Sequence, residues 1–222
     1  NNSWGNFDFN ATLGGNLYKV NNQTIVTTAK DMKIRDVVAL MSFNEVSVEP
    51  YSYRKQINSI YGAVNLGWKH MLYFDATLRG DQSSTLPISN NMYIYPSFSG
   101  SFVFSELLKL GDKLPYGKVR MSWAQVGSDT DPYQLGLVYT KSKFAYPGYT
   151  IGYISNGTIP NKDLKPTKTN SFEMGLELKF LKNRIGLDFT YYSQLSKNQI
   201  MGMASSSTSG YGYRLILSLI HI

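Results

Sequence analysis

SFEMGLELKF (residues 171–180), LKNR (181–184) and IGLDFTYYS (185–193) follow one another in this chain, and this stretch decides the fold. Apolar side chains alternate with polar ones on both sides of LKNR. The apolar set is Phe172, Met174, Leu176, Leu178, Phe180, Ile185, Leu187, Phe189 and Tyr191. Alternation with a period of two over this length predicts two antiparallel strands joined by a tight turn. The apolar face must contact either a protein core or lipid.

Composition excludes several classes of chemistry. The 222 residues include no cysteine, and histidine occurs only at His70 and His221, so disulfides, thiol nucleophiles and thiolate metal sites are excluded. Glu173 and Glu177 share one strand face about 14 Å apart, too far for the about 5–9.5 Å of a glycosidase pair. We therefore expect no catalytic residue, no metal site, no cofactor and no enzyme activity. The net charge of +7 is scattered, which argues against nucleic acid as a partner.

The same alternation recurs along most of the chain. It predicts about seven strands, most able to run about 9–12 residues, which suits a tilted membrane span better than an ordinary globular strand. The stretches lie near residues 7–13, 59–68, 72–81, 94–104, 119–124, 171–180 and 185–193. Together they predict an all-β, antiparallel, up-and-down sheet.

The connections between these strands alternate in length. Tight turns are predicted at 67–70 and 181–184, and a longer link at 105–117 falls where the next short turn is expected. Three other connections are long and rich in Tyr, Asn, Gly, Ser and Pro: residues 16–53, 82–91 and 128–169. Short turns on one side and long loops on the other are typical of an outer-membrane β-barrel, whereas a soluble β-sandwich seldom has such loops.

In a barrel, the polar faces would line the lumen and the apolar faces would contact lipid. The candidates for the lumen are Asp75, Arg79, Asp81, Arg120, Glu173, Glu177, Lys179 and Asp188; those for lipid are Phe172, Met174, Leu176, Leu187 and Phe189. Arg79 and Asp81 are expected to form either a salt-bridge network in the lumen or a local cross-strand pair.

Three ordered blocks carry recognisable motifs. An R-x-D-x-S segment and a YPS-x-S strand match at Arg79, Asp81, Ser83, Tyr95, Pro96, Ser97 and Ser99. A K-x-R-x-S-x-x-x-x-G strand matches at Lys118, Arg120, Ser122 and Gly127, and DPYQ follows. An N-x-x-L-K loop matches at Asn161, Leu164, Lys165 and Pro166, although Thr167 replaces the usual acidic residue.

With these blocks the chain, from about residue 59 to residue 216, resembles the SusC/RagA-like TonB-dependent outer-membrane transporters of Bacteroidetes-type bacteria. The resemblance implies a large barrel, an N-terminal plug, a segment that contacts the TonB complex, and a SusD-like surface lipoprotein that acts as a lid. It also implies import of an oligosaccharide or peptide substrate across the outer membrane. Loop tyrosines are candidates for stacking on substrate or contacting the lid, or for simple loop packing: Tyr139, Tyr146, Tyr149 and Tyr153.

Two departures from the family pattern define the expected boundaries. The plug and the TonB-contacting segment are absent, so we expect residues 1–216 to be part of the C-terminal half of a barrel. Residues 217–222 read LSLIHI, which is apolar without alternation and resembles translated sequencing-adapter sequence. We expect this tail to be non-native; a divergent strand end is the alternative.

The sequence therefore predicts a segment of a TonB-dependent active importer. Two alternatives stay open: a soluble all-β carbohydrate-binding module, whose apolar faces would pair across a core, and a passive porin-type barrel.

Overall fold

The computed structural model describes residues 2–109, 111–141, 149, 151–154 and 157–221. This part of the chain is built almost entirely of strands. They are β1 (Asn2–Trp4), β2 (Phe7–Met32), β3 (Phe43–Trp68), β4 (Leu72–Ser83), β5 (Met92–Phe102), β6 (Tyr116–Ser128), β7 (Tyr139–Lys141), β8 (Gly152–Ile154), β9 (Thr158–Ile159), β10 (Thr167–Phe180), β11 (Ile185–Ala204) and β12 (Tyr213–His221). The helices are short: α1 (Phe104–Leu108) and 3₁₀ turns at Leu40–Ser42, Ile88–Asn90, Gly111–Lys113 and Ser207–Ser209.

Ten of the strands form one open sheet in the order β1-β2-β3-β4-β5-β6-β10-β11-β12-β9. From β1 to β12 every neighbour is antiparallel, and only the short contact between β12 and β9 is parallel. Strands β7 and β8 pair separately. The predicted all-β, antiparallel, up-and-down sheet is confirmed. No helix within the described residues is long and apolar enough to cross a membrane.

The pairing register collects the apolar side chains of β2 to β11 on one face. One row, followed across seven strands, runs Phe9, Leu66, Phe74, Gly100, Met121, Met174 and Tyr191. Because successive side chains point to opposite faces, a register that aligns one row aligns every row. We call this surface the apolar face and the opposite surface the polar face.

The apolar face is exposed. Leu13 is 81% exposed and Phe189 is 63% exposed, near opposite sides of the sheet. The chain exposes 15985 Å², whereas a compact monomer of this mass exposes about 10,000 Å². Within the described residues the sheet therefore has no second layer, contrary to the core that a soluble carbohydrate-binding sandwich requires.

Over the residues that the structure describes, the buried hydrophobic core is one small cluster near the long connections. Leu86, Tyr93 and Leu164 are buried, and they are flanked by Tyr95, Leu135, Ile200 and Leu217. Leu164 is 0% exposed. This cluster fixes the connection between β6 and β10 against β5.

The expected turns are present, but one expected loop is not a loop. Three residues, 69–71, connect Trp68 to its partner Leu72, and Lys69 and His70 there both have positive φ, as in the tight turns of hairpins. Residues 181–184 form the turn between β10 and β11. Residues 16–53 were expected to be irregular, yet β2 and β3 are 26 residues each and stay paired to Met32 and Phe43. Thr, Val, Ile and Tyr in this stretch favour extended backbone without strict alternation.

The sheet also has more members than the about seven expected strands. The additions are the short β1 and β9 and the longer β12, which pairs with β11 and contains most of the apolar tail. This pairing does not bear on the origin of residues 217–222, whose non-native character stays a prediction.

Leu164→Ala in the full-length protein should release the connection that Leu164 holds. Truncating a fully buried leucine costs about 2–5 kcal/mol, so the locally open population should rise and trypsin should cleave after Lys162 at least about tenfold faster. Limited proteolysis in detergent measures this rate. Val138→Ala is the matched control, because Val138 is an exposed residue of the same connection. Equal cleavage rates in the two variants would contradict the packing described.

Candidate functional site

All eight charged residues expected in the lumen lie on the polar face. Their register partners show this: one polar row runs Asn10, Asn65, Asp75, Ser99, Ser122, Glu173 and Tyr192 across the same seven strands. Arg79, Asp81, Arg120, Glu177, Lys179 and Asp188 occupy parallel rows. The structure joins these residues into separate local networks.

Asp75 is the centre of the first network. The Asn65 Nδ2 donates to Asp75 Oδ1 at 2.6 Å, and the Ser99 hydroxyl donates to Asp75 Oδ2 at 3.0 Å. Asn10 Nδ2 donates in turn to Asn65 Oδ1 at 3.4 Å. One carboxylate therefore ties β3 to β5 and, through Asn65, reaches β2.

Arg79 and Asp81 form an ion pair along a single strand. Arg79 Nε lies 2.9 Å from Asp81 Oδ1, and Arg79 Nη2 donates to the Ser59 hydroxyl at 3.1 Å. The Tyr95 hydroxyl donates to the other oxygen of the buried Asp81. Of the two expected arrangements, a lumen network and a local cross-strand pair, the local pair is present but runs along β4 (i,i+2), and its outer contacts reach β3 and β5. A wider role in the lumen stays a prediction.

Arg120 crosses a strand to reach its partners. Its Nη2 donates to the Thr190 hydroxyl at 2.8 Å and lies 3.4 Å from Asp188 Oδ1, while its Nε lies 3.7 Å from Glu173 Oε1. The side chain passes over Gly175, where an added Cβ would lie 2.3 Å from Arg120 Nε. Glycine at this position leaves the space through which β6 is linked to β11.

Beside this cluster lies a small polar depression. Its volume is about 230 Å³, and its polar lining consists of Ser99, Ser101, Lys118, Arg120, Ser122 and Glu173. Hydroxyls with paired charges can donate and accept hydrogen bonds without a large local net charge. At the other end of β10, Lys179 and Glu177 form a looser pair at 3.9 Å.

A further charged cluster, centred on Asp129, was not predicted from the sequence. Asp129 Oδ1 accepts from Lys55 Nζ at 2.7 Å, and its Oδ2 accepts from Ser83 at 2.5 Å and from Thr85 at 3.2 Å. The Lys55 and Asp129 side chains are 15% and 9% exposed. Lys55 fell in a stretch expected to be a loop, so its pairing could not be inferred; Ser83 in the R-x-D-x-S motif was the available signal.

The motif positions from different blocks meet at the end of the sheet that carries the long connections. An added Cβ on Gly127 would lie 2.5 Å from the ring of Tyr93, which itself contacts Leu164. Asn161 Oδ1 accepts from the Asp163 amide at 2.9 Å and shapes the loop before Leu164. Of the remaining positions, Lys165 is exposed, Pro166 is buried and Pro96 pairs with Leu78 on the apolar face.

The structure describes three of the four candidate loop tyrosines. Tyr139 and Tyr149 are exposed, the backbone of Tyr153 pairs with Thr140 in the small β7–β8 sheet, and Tyr146 lies outside the described residues. Their roles stay predictions. Over the residues that the structure describes, no three His, Asp or Glu side chains are grouped to hold a metal ion.

The family model for the TonB-dependent receptor-like β-barrel matches residues 1–216. The chain belongs to this family. The expected barrel class and the SusC/RagA-like resemblance are confirmed.

Among relatives, the chain is 30% identical over 147 residues to the TonB-dependent receptor SusC of Bacteroides thetaiotaomicron, covering 62% of this chain and 15% of that protein. It is 26% identical over 193 residues to TonB-dependent receptor P3 of Formosa agariphila, covering 82% and 19%. The chain thus spans less than a fifth of these relatives. Their names describe receptors, which favours a non-enzymatic role.

Among solved structures, the RagAB peptide transporter matches with a TM-score of 0.84 at 20% identity, over 95% of this chain and 24% of that one. The siderophore receptor PirA from Pseudomonas aeruginosa matches with a TM-score of 0.51 at 17% identity, over 79% of this chain and 32% of that one. At these identities the matches show a shared fold.

Gly175→Ala in the full-length protein should displace Arg120, because the new methyl group would lie 2.3 Å from its Nε, closer than two non-bonded atoms can approach. We expect a loss of about 1–3 kcal/mol, the usual cost of overpacking, measured as a lower apparent Tm of the detergent-solubilised barrel. Gly186→Ala is the matched control in the same hairpin, because a Cβ there has nothing within 4 Å.

A double variant identifies the cause. If Arg120 is the residue displaced, Arg120→Ala and the Arg120→Ala/Gly175→Ala double variant should have the same Tm, which is strongly non-additive. Additive losses would show that Gly175 acts independently of Arg120.

Proposed function

We propose that residues 1–216 are a wall segment of a TonB-dependent importer in the outer membrane of a Bacteroidetes-type bacterium, which takes up glycans or peptides together with a SusD-like surface lipoprotein. One observation carries the proposal: a single-layered sheet of this family keeps its apolar side chains on one exposed face and links charged ones on the other. Such a sheet suits a wall between lipid and water.

Strand length supports this orientation. On β2 the apolar rows extend from Phe7 to Leu17, which matches the about 9–11 residues of a tilted membrane strand. In the proposed orientation the apolar face contacts lipid and the polar face lines the lumen. The turns at 69–70 and 181–184 then lie in the periplasm, and the long connections lie outside.

The polar face has chemistry suited to a hydrated cargo. Arg120 is shared between Glu173 and Asp188, and Asp75 accepts from two uncharged side chains. Hydroxyls surround these pairs in the depression next to Arg120. A sugar or a peptide backbone could exchange hydrogen bonds with this surface without having to displace one strongly bound counter-ion.

In the proposed mechanism this segment carries no covalent chemistry. Cargo is captured between the lipoprotein and the barrel, and exposed loop residues such as Tyr139 and Tyr149 contact cargo or lid. The TonB complex acts through N-terminal regions outside this sequence and moves the plug. The wall networks keep the lumen shape fixed while the plug moves.

Spin labels on neighbouring residues of β6 test the orientation. Met121→Cys and Ser122→Cys place a label on opposite faces at the same membrane depth, and this sequence contains no native cysteine. In full-length protein reconstituted into liposomes, we expect the label at 121 to be relaxed more by oxygen, which concentrates in lipid, and the label at 122 more by a water-soluble nickel chelate. Electron paramagnetic resonance measures both. The reversed preference, or water access at both positions, would contradict the proposal.

Uptake by the native host tests the transport proposal. Deleting the gene should abolish uptake of labelled peptide or oligosaccharide mixtures, and restoring it should rescue uptake only while TonB is active. Purification from detergent extracts should recover a surface lipoprotein with the barrel. A small porin-permeant solute serves as the control for membrane integrity. Uptake that persists after TonB is inactivated would identify a passive porin instead.

A further inference from the structure

The apolar face contains a concave site between β2 and β5. Its volume is about 770 Å³, within the usual range for sites that bind small molecules. Its floor contains the small residues Ala11, Gly62, Ala76 and Gly80, and its sides contain Leu13, Leu78, Ile94 and Phe98. We call it the apolar groove.

A second depression lies beyond the apolar groove on the same face, toward the long connections. Its volume is about 460 Å³, and its lining includes Lys19, Asn21, Arg54, Gln56 and Ser84. The register of β2 and β3 places it there. Leu13 pairs with Gly62 in the apolar groove, and further along the same two strands Lys19 pairs with Gln56 and Asn21 pairs with Arg54. We call it the basic pocket.

The cations of the basic pocket are not neutralised within the described residues. Lys19 and Arg54 are exposed, and neither belongs to an ion pair there. Lys55, which also borders the pocket, belongs to the polar face and is paired with Asp129. Two positive side chains therefore lie beside the apolar groove without an acidic partner among the described residues. A surface that faces water usually carries charges of both signs.

We infer that the apolar groove and the basic pocket together bind one anionic glycolipid of the outer leaflet, with an acyl chain in the groove and a phosphate at Lys19 and Arg54. Charge complementarity selects the headgroup, because arginine can donate two parallel hydrogen bonds to a phosphate and lysine adds a second charge. Basic pockets at the membrane surface commonly bind acidic headgroups.

The position of the site selects the leaflet. This inference rests on the proposed membrane orientation, in which the end of the sheet with the long connections faces outward. Lys19 is two residues beyond Leu17, where the apolar row of β2 ends, so its charge lies at headgroup depth. An anionic lipid of the outer leaflet can therefore occupy both depressions at once.

Lipid retained by the purified full-length protein tests the inference. After extensive detergent exchange, native mass spectrometry should find a phosphorylated glycolipid bound to the wild type. In Lys19→Ala/Arg54→Ala its occupancy should fall at least about fivefold. Gly80→Leu should lower it similarly by filling the groove; a Cβ at Gly80 meets only the side chains of Ile60 and Ile94, both at 3.8 Å, so the backbone there has space for a side chain to begin.

Matched controls separate this site from general lipid binding. Lys30→Ala removes an exposed cation from the same strand, and Gly100→Leu enlarges the same face outside the groove; both should leave occupancy unchanged. Equal retention in the wild type and the double variant, or retention of phospholipid alone, would overturn the inference. If the spin labels at 121 and 122 still report lipid and water, the proposed function survives that failure; if they do not, both fail.

Discussion

The rest of this structure depends on one constraint, the register in which neighbouring strands pair. A shift of one residue between any two strands from β2 to β11 would move a row of Phe, Leu and Met onto the polar face. The register instead keeps one row apolar from Phe9 to Tyr191 and its neighbour polar from Asn10 to Tyr192. The apolar face, the polar face and the networks on the polar face all follow from that register.

Glycine lets long side chains act across this single layer. Arg120 reaches β11 only because Gly175 leaves space, and the rings of Tyr61 and Tyr93 lie over Gly14 and Gly127 in the same way. Apart from the small cluster around Leu164, the described part of the sheet has no packed core on either face, so it has few other means of fixing large side chains. Contact over glycine, with hydrogen bonds around it, takes the place of core packing on the polar face.

The features that a single strand determines could be predicted from the sequence. Alternation assigned Glu173 and Met174 to opposite faces regardless of the strands beside them, and it predicted the turn at 181–184. It could not pair Lys55 with Asp129 or bring Arg120 over Gly175, because those contacts depend on the register of strands distant in sequence. It also missed the extension of β2 and β3, because residues 16–32 favour strand through composition rather than alternation.

That extension has a mechanical consequence. At about 3.3 Å per residue, the 26-residue strands β2 and β3 reach about 85 Å, against about 30 Å of hydrocarbon in a bilayer. Strand β4 pairs with β3 only between Ile57 and Trp68, so beyond Ile57 the hairpin is a ribbon of two strands. Two-stranded ribbons twist and bend more than sheets. The two-stranded ribbon should therefore bend more easily than the sheet to which it is attached. A small rotation near Ile57 would produce a large displacement at Leu40–Ser42, at the far end of the ribbon.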